Sequence, residues 1–304
     1  MFVLVGVAIL FAVSNNILLH FLKEKKHNAY LFNAIISLIW VVCLLAFNLG
    51  WKGASPQTWL YGCLYGLTLS GFIFFKTMAM SNGPIALTAL FGCSAFILTT
   101  VFNAIYWQEQ VGFFEIAGIL LMLISVFMIN YTPKSVGEQK QKFSLKWKIY
   151  CAMFFIFSAA TGIIFRFHQT VDKFYTNEMM ILSATVSFAI LLFIFLIELG
   201  IRKKGIKDKI EDDNVNSCIS EKVVVAFLAI ACGICSCVYN RLNIYNSGTL
   251  PSTLFFPIFN GGVVILSFFA GWGLFKEKPT KIQFFGVGLG FLALLTFSRL
   301  FGLL

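Results

Sequence analysis

Long continuous apolar runs, separated by short polar turns, constrain this chain more than any motif does. A helix that crosses the ~30 Å hydrocarbon layer of a membrane needs about 20 apolar residues. The alternation of apolar and polar residues typical of a transmembrane barrel is missing. On this measure the sequence divides into ten predicted spans, at 1–22, 29–49, 57–81, 85–107, 112–131, 147–169, 178–200, 222–246, 251–274 and 280–302.

The composition agrees with a membrane protein. Hydrophobic residues make up 59% of the chain and charged residues 12%, whereas charged residues are about 25% of an ordinary soluble domain. The first run lacks a basic leader and a small-residue cleavage site, so we interpret it as a retained helix. The longest loops, 132–146 and 201–221, are charged and polar. We therefore predict an all-α membrane protein whose function is located among its spans.

The distribution of charge predicts the orientation. Of 23 Lys and Arg, 17 lie in or beside the loops after spans 1, 5, 7 and 9, and only Lys52, Lys173 and Arg299 lie in the opposite loops and termini. By the positive-inside rule the first set faces the cytoplasm, which places both termini outside. We predict a multi-pass protein of the cell membrane that does not bind nucleic acid, because the lysines flank spans and form no folded basic face.

Motifs for metal binding and catalysis are weak or missing. Cys232, Cys235 and Cys237 have no His nearby and lie inside span 8, whereas a structural zinc site needs four ligands. No HExxH or GxSxG motif occurs, and no acid lies in the middle of a span for general acid or base chemistry. We predict no metal, no cofactor and no enzymatic activity.

Two stretches, 76–129 and 240–297, share one pattern. In each, an apolar helix closes on a glycine, a second apolar helix follows, a short turn carries a glutamate, and another glycine lies nine residues further on. The residues are Gly83, Glu109 and Gly118 in the first copy and Gly248, Glu277 and Gly286 in the second. Because each repeat has an odd number of spans, the second repeat enters the membrane with the opposite orientation. This predicts inverted five-helix repeats at 1–131 and 147–304, joined by a cytoplasmic linker at 132–146.

The pattern resembles the EamA-type drug/metabolite transporter (DMT) superfamily over almost the whole chain. The resemblance implies ten helices in two inverted five-helix repeats and a central cavity lined mainly by spans 1, 3, 4, 6, 8 and 9. It also implies that spans 5 and 10 lie at the periphery. Members of the superfamily usually keep both termini in the cytoplasm, and the charge bias of this chain points the other way.

Three cations lie inside predicted spans: Lys76, Arg166 and Arg241. Each costs roughly 2.5–3.5 kcal/mol at a helix centre. Alignment of the repeats pairs Lys76 with Arg241 and His20 with Arg166. We predict unpaired cations at both mouths of one cavity, with His20 and Lys76 at the inner mouth and Arg166 and Arg241 at the outer mouth. Alternatively, these side chains anchor the helices at the headgroups, because each lies off the midplane and long cations can snorkel.

Further polar residues within spans could hydrogen-bond a substrate or instead join helices to one another. Those predicted for the site are Asn16, Asn103, Tyr239, Asn240 and Asn260, with Asn15, Thr161 and Asn243 beside them. With the cations they predict a secondary transporter of a small organic anion or zwitterion that carries a carboxylate or phosphate, working by alternating access. The alternatives are an exporter of amino acids or cationic drugs and a flippase for a lipid or lipid-linked sugar.

Glycine spacing predicts close helix packing. Gly62, Gly66 and Ser70 in span 3, and Gly286 and Gly290 in span 10, place small residues on one helix face. The face in span 10 could serve a homodimer through the last span of each repeat, or pack within the chain. Glu109 and Glu277 are interpreted as capping or topology residues at the membrane surface, with proton coupling as the alternative.

Overall fold

The computed structural model describes residues 2–22, 28–47, 51, 53–82, 88, 91–92, 94–109, 111–131, 144–205, 215–276 and 279–299. Within these residues there are ten α-helices of eleven or more residues and no strand. They are α1 (Phe2–Leu22), α2 (Ala29–Phe47), α3 (Pro56–Asn82), α4 (Phe96–Tyr106), α5 (Phe113–Ile129), α6 (Leu145–Val171), α7 (Thr176–Gly205), α8 (Val215–Thr249), α9 (Ser252–Leu274) and α10 (Lys281–Arg299).

Each predicted span overlaps one of these helices, the fourth only over Phe96–Tyr106, and the all-α prediction is confirmed for the described residues. Seven helices are long and apolar enough to cross a membrane, namely α1, α2, α3, α6, α7, α8 and α9, and α4, α5 and α10 are shorter apolar helices. The chain is therefore an all-helical, multi-pass membrane protein. Gly83, Glu277, most of the linker (132–143) and most of the lysines that predict the orientation lie outside the described residues.

Side-chain contacts sort the helix termini into two ends of the molecule. At one end Asn28, just before α2, donates to Glu198 near the end of α7, and Gln283 in the first turn of α10 donates to the carbonyl of Tyr131 after α5. We call this the Lys76 end, since Lys76 lies six residues before the last residue of α3. At the opposite end, here the Arg166 end, α3 begins beside the last turn of α6, where Thr58 donates to Asp172.

Three helix pairs run antiparallel. Between α2 and α7, Ser37 contacts Ser187 and Asn28 contacts Glu198. Along the contact, residue numbers therefore increase in α2 where they decrease in α7. In α5 and α10, Gly286 lies against Met128 and Gly290 lies against Ser125. The turn after α4 meets the first turn of α9 through Glu109 and Ser252.

Two further pairs run parallel. Gly62 and Gly66 of α3 lie against Leu182 and Ser183 of α7, in the same order. Ile39 of α2 lies against Gly233 of α8, and Trp40 donates to Ser236. In addition, α3 packs on α6 and α1 packs on α8. The helices α2, α3, α7 and α8 thus form a contiguous block around which the others are arranged.

The predicted close packing of glycine faces is confirmed. A Cβ added to Gly66 would lie 2.6 Å from the carbonyl oxygen of Ser183, and one added to Gly290 would lie 2.6 Å from the hydroxyl of Ser125 and 2.7 Å from Ile265. The face with Gly286 and Gly290 therefore packs on α5 and α9 within one chain. A homodimer through α5 and α10 stays a prediction and would need other faces of these helices.

We expect Gly66→Ala to lower the melting temperature of the detergent-solubilised protein, because the added methyl meets backbone and overpacking costs about 1–3 kcal/mol. Gly6→Ala is the matched control, since nothing lies within 4 Å of a Cβ at Gly6. A Gly66→Ala protein that melts with the wild type would contradict the close approach of α3 and α7.

Candidate functional site

A cavity of about 350 Å³ lies between α1, α2, α3, α4, α6, α8 and α9. Tyr65, Leu69, Phe72 and Lys76 follow one face of α3 along it. Since a helix rises 1.5 Å per residue, the eleven steps from Tyr65 to Lys76 span about 16 Å, from the middle of α3 towards the Lys76 end. The helices are those that the resemblance implies, with α2 in addition.

The lining is rich in amides and aromatic rings. Six of the fifteen asparagines of the chain line the cavity: Asn15, Asn16, Asn33, Asn240, Asn243 and Asn260. The aromatic walls include Trp40, Tyr65, Phe72, Tyr239 and Phe259. Among the described residues that line the cavity, Lys76 is the one that carries a charge, and its Nζ lies 5.8 Å from the centroid of the Phe72 ring.

Five of the nine predicted site residues line this cavity: Lys76, Asn16, Tyr239, Asn240 and Asn260. Asn15, Thr161 and Asn243 line it as well. The other four, Arg166, Arg241, His20 and Asn103, are not part of its lining. Of the four cationic side chains predicted at the mouths of one cavity, Lys76 lines it, whereas Arg166, Arg241 and His20 lie elsewhere, each for its own reason.

Arg166 is held in an ion pair, whereas the sequence predicted an unpaired cation. Its Nη2 lies 3.2 Å from Oε1 of Glu109, and its Nη1 donates to the carbonyls of Ser247 and, at 2.7 Å, Leu250. Glu109 lies in the turn after α4, outside the middle of any span, and only tertiary folding brings it to α6.

Glu109 also caps α9, as the interpretation of this residue predicted. Its carboxylate accepts from the backbone amides of Ser252 at 2.9 Å and Thr253 at 3.2 Å. A carboxylate at this position satisfies helix N–H groups that have no partner within the helix and complements the helix dipole. We use the name Arg166–Glu109 junction for the group formed by Glu109, Arg166 and the chain from Ser247 to Thr253. It joins α4, α6, α8 and α9.

Arg241 lies in a separate crevice of about 250 Å³ between α2, α7 and α8. Its Nε donates to Oδ1 of Asn177 at 2.5 Å. Asn240 and Asn243 line the central cavity, and at 100° per residue Arg241 lies on a different side of α8. The crevice reaches Ile234, which is 44% exposed, so it opens on the outer surface of the helix bundle.

His20 and Asn103 have packing positions. The His20 ring stacks on Phe275, with 3.7 Å between ring centroids, at the Lys76 end. Asn103 is fully buried in α4, and within the described part of the chain neither its Nδ2 nor its Oδ1 has a hydrogen-bond partner.

The Arg166 end of the molecule is tightly closed. Thr58, His168, Asn246 and Ser252 are each 0% exposed there. Thr58 donates to Asp172 at 2.6 Å and lies 3.4 Å from Nε2 of His168.

Several buried polar atoms at this end have no partner within the described residues. They are Thr100 Oγ1, both side-chain atoms of Asn103 and of Asn246, Trp107 Nε1, His168 Nδ1 and Ser252 Oγ. A buried polar group without a partner costs about 1–3 kcal/mol, and native structures contain few of them. Closure of this end therefore leaves polar groups that water would satisfy.

Sequence reasoning missed the contribution of α2. Asn33, Ser37 and Trp40 line the cavity, and Trp40 donates to Ser236 of α8 at 2.7 Å. The spacing i, i+4, i+7 places these three residues on one face of an otherwise apolar helix, which is the signal that could have identified them.

No family model matches the sequence, and no curated protein matches it. Among solved structures, 29 chains match. One of them, described as "Crystal structure of protein", superposes with a TM-score of 0.72 at 15% sequence identity, over 96% of this chain and 98% of that chain. A likeness at this identity shows that the two chains share a fold and carries nothing about function.

We expect Arg166→Met and Glu109→Gln each to lower the melting temperature, because the two side chains are only 14% and 10% exposed and removal of one leaves the other charge without its counterion. For a fully buried pair this loss costs about 3–5 kcal/mol, which is the upper bound here. The double variant should recover part of the loss, since neither charge is then left alone. Lys173→Met, at an exposed cation near the same end, should leave the melting temperature unchanged. Additive losses in the double variant would show that the two residues do not stabilise each other.

Proposed function

We propose that this protein is a secondary transporter of a small organic anion or zwitterion, of the EamA-like drug/metabolite transporter type. The observation that carries the proposal is the central cavity, which holds the Lys76 ammonium and no Asp or Glu among its described lining residues. Its volume of about 350 Å³ is within the usual range of ligand sites. An ammonium group amid amides and aromatic rings attracts a carboxylate or phosphate.

The helix contacts support two inverted repeats. In two inverted repeats, each helix of the first half is equivalent to the helix numbered five higher in the second half. The contact between α3 and α6 is then equivalent to the contact between α8 and α1, and the contact between α3 and α7 is equivalent to that between α8 and α2. All four contacts occur. Equivalent helices of the two halves, α2 and α7, α4 and α9, and α5 and α10, pack antiparallel, as inversion requires. Secondary transporters with this plan bind substrate between the halves.

The closed Arg166 end supports alternating access. The cavity extends from Tyr65 towards Lys76, while the Arg166–Glu109 junction and the buried polar groups beside it close the other end. In the proposed cycle the junction opens, water reaches Asn103, Asn246 and Ser252, and the Lys76 end closes. With the orientation predicted from the loops, the described conformation faces the cytoplasm.

A lipid flippase is the weaker candidate. Arg241 lies in a crevice on the outer surface of the bundle, where a headgroup could meet it. This crevice shares no lining residue with the central cavity, so it offers no described path for a headgroup across the protein. A carrier of cationic drugs is disfavoured because Lys76 would repel its substrate.

Lys76→Met should reduce the uptake of organic anions into proteoliposomes. A hydrogen bond to a charged group is worth about 1.5–3 kcal/mol, which corresponds to roughly a ten- to hundredfold loss of kcat/KM. Lys148→Met is the control, because Lys148 is exposed on the first turn of α6 and lies outside the cavity. Equal uptake by both variants, or no uptake of any anion by the wild type, would overturn the proposal.

The opening of the Arg166 end can be measured by chemical labelling. In a variant without its native cysteines, we expect Asn246→Cys to react slowly with a water-soluble thiol reagent, because residue 246 is 0% exposed. Addition of Glu109→Gln should accelerate labelling at least fivefold, since the junction then holds α4, α6, α8 and α9 less firmly. An unchanged labelling rate in a variant that remains folded would argue against a gate at this junction.

A further inference from the structure

We propose that the crevice around Arg241 binds an anionic phospholipid, with the lipid phosphate at the guanidinium and an acyl chain along α8. The crevice shares no lining residue with the central cavity. The inference therefore does not rest on the proposed transport function, and the lipid resides in the site rather than being transported. It follows from the hydrogen-bonding state of Arg241, the apolar lining of the crevice and its height along the helix bundle.

The guanidinium of Arg241 keeps most of its donors unused within the described residues. Its Nε donates to Oδ1 of Asn177 at 2.5 Å, and Nη1 and Nη2 make no hydrogen bond with the described part of the chain. Neither Nη atom is among the buried polar atoms without a partner, so both are accessible. A guanidinium has five N–H donors, and its fork matches two oxygens of one phosphate. The crevice thus offers an anion a paired set of donors.

The charge of Arg241 also lacks a counterion inside the crevice. Among the described residues of the lining, Arg241 is the one that carries a charge. Glu178 is buried nearby and acts on Arg241 electrostatically, but it does not line the crevice. Arg241 forms no ion pair with a carboxylate of the described residues. Since a cation inside a span is expensive, an anionic group in the crevice stabilises it.

The rest of the lining is mostly apolar, which favours a lipid over a soluble phosphate compound. Besides Arg241 and Asn177, the crevice is lined by Cys43, Leu44, Ile234, Cys237, Val238 and Leu242. Ile234 lies seven residues before Arg241, so the lining extends about 10 Å from the guanidinium towards the middle of α8. An acyl chain covers this length, whereas inorganic phosphate or a small phosphate ester has no apolar part to do so.

Exposed aromatic residues indicate that the crevice lies just below the headgroups. Trp51 and Trp59, at the start of α3, are exposed at the Arg166 end, and Tyr245 of α8 is exposed as well. Trp and Tyr concentrate at the interface between hydrocarbon and headgroups. Arg241 precedes Tyr245 by one turn and lies about 6 Å deeper. A long cationic side chain at this depth reaches headgroup oxygens. With the orientation predicted from the loops, these belong to the outer leaflet.

Affinity is measured by native mass spectrometry of the detergent-solubilised protein, titrated with dioleoylphosphatidylglycerol or dioleoylphosphatidylcholine. We expect the anionic lipid to bind more tightly, and Arg241→Met to weaken its binding about tenfold, since hydrogen bonds to a charged group are lost. Arg241→Lys, which keeps the charge and loses the fork, should lie between the two. Lys173→Met, at an exposed cation of the same end, is the control and should bind as the wild type does. Equal binding by Arg241→Met and the wild type would overturn the proposal.

The position is tested on the wild-type protein, so this arm does not depend on the folding of a variant. Phosphatidylglycerol with a diazirine in its acyl chain is incorporated into proteoliposomes and irradiated, and the crosslinked peptides are identified by mass spectrometry. We expect crosslinks to concentrate on α8 around Ile234 and Val238, and excess phosphatidylglycerol to suppress them more than excess phosphatidylcholine does. Crosslinks spread evenly over the lipid-facing helices would show bulk lipid only and overturn the site.

Soluble phosphates distinguish a lipid from a free anion. Millimolar inorganic phosphate and glycerol 3-phosphate should neither suppress the crosslinks nor raise the melting temperature in detergent. Phosphatidylglycerol should raise the melting temperature of the wild type more than that of Arg241→Met, because the crevice is formed by three helices, α2, α7 and α8, that the lipid holds together. Equal protection by the soluble phosphates would assign the crevice to a free anion and overturn the lipid proposal. None of these outcomes changes the transport proposal, which depends on the central cavity.

Discussion

The ion pair between Arg166 and Glu109 fixes the relation of four helices at one end of the molecule. The arginine binds the carbonyls at the end of α8, and the glutamate binds the amides at the start of α9. Both helix ends therefore have their unpaired backbone groups satisfied by charged partners that also neutralise each other. Within an apolar surrounding, where each unsatisfied group is expensive, this junction stabilises the described arrangement of the four helices.

The lining of the cavity contains polar groups that the described residues leave without partners, in contrast to the satisfied groups of the junction. Asn33, Asn240 and Asn260 donate to carbonyls of their own helices. The side-chain oxygens of Asn15 and Asn243 are buried without a partner among the described residues, so the lining is polar without being a closed network. Partly satisfied networks are unfavourable in a core, and they persist where water or a ligand completes them. The buried polar atoms at the Arg166 end, such as those of Asn103 and Asn246, likewise have no partner among the described residues, and the proposed opening of that end would bring them water.

Glycine and other small residues set how closely the helices approach. Gly62 and Gly66 allow α3 to pack closely against α7, and Gly286 and Gly290 allow α10 to pack closely against α5. Since lipid is as apolar as the side chains, close packing replaces the hydrophobic effect as the force between helices. These contacts hold the block of α2, α3, α7 and α8 together while leaving the central space open.

The sequence alone determined the ten apolar helices, because span length follows from membrane thickness, and it identified most of the polar residues that line the cavity, because polar residues inside spans are rare. It could not place Arg166, Arg241 or Asn33. A charge inside a span predicts that a partner is needed, but the partner of Arg166 lies 57 residues away in a turn. The direction in which Arg241 points depends on the rotation of α8 about its axis. Only tertiary packing decides which side of a uniformly apolar helix faces a neighbour, a cavity or lipid, since each of these surroundings accepts the same side chains.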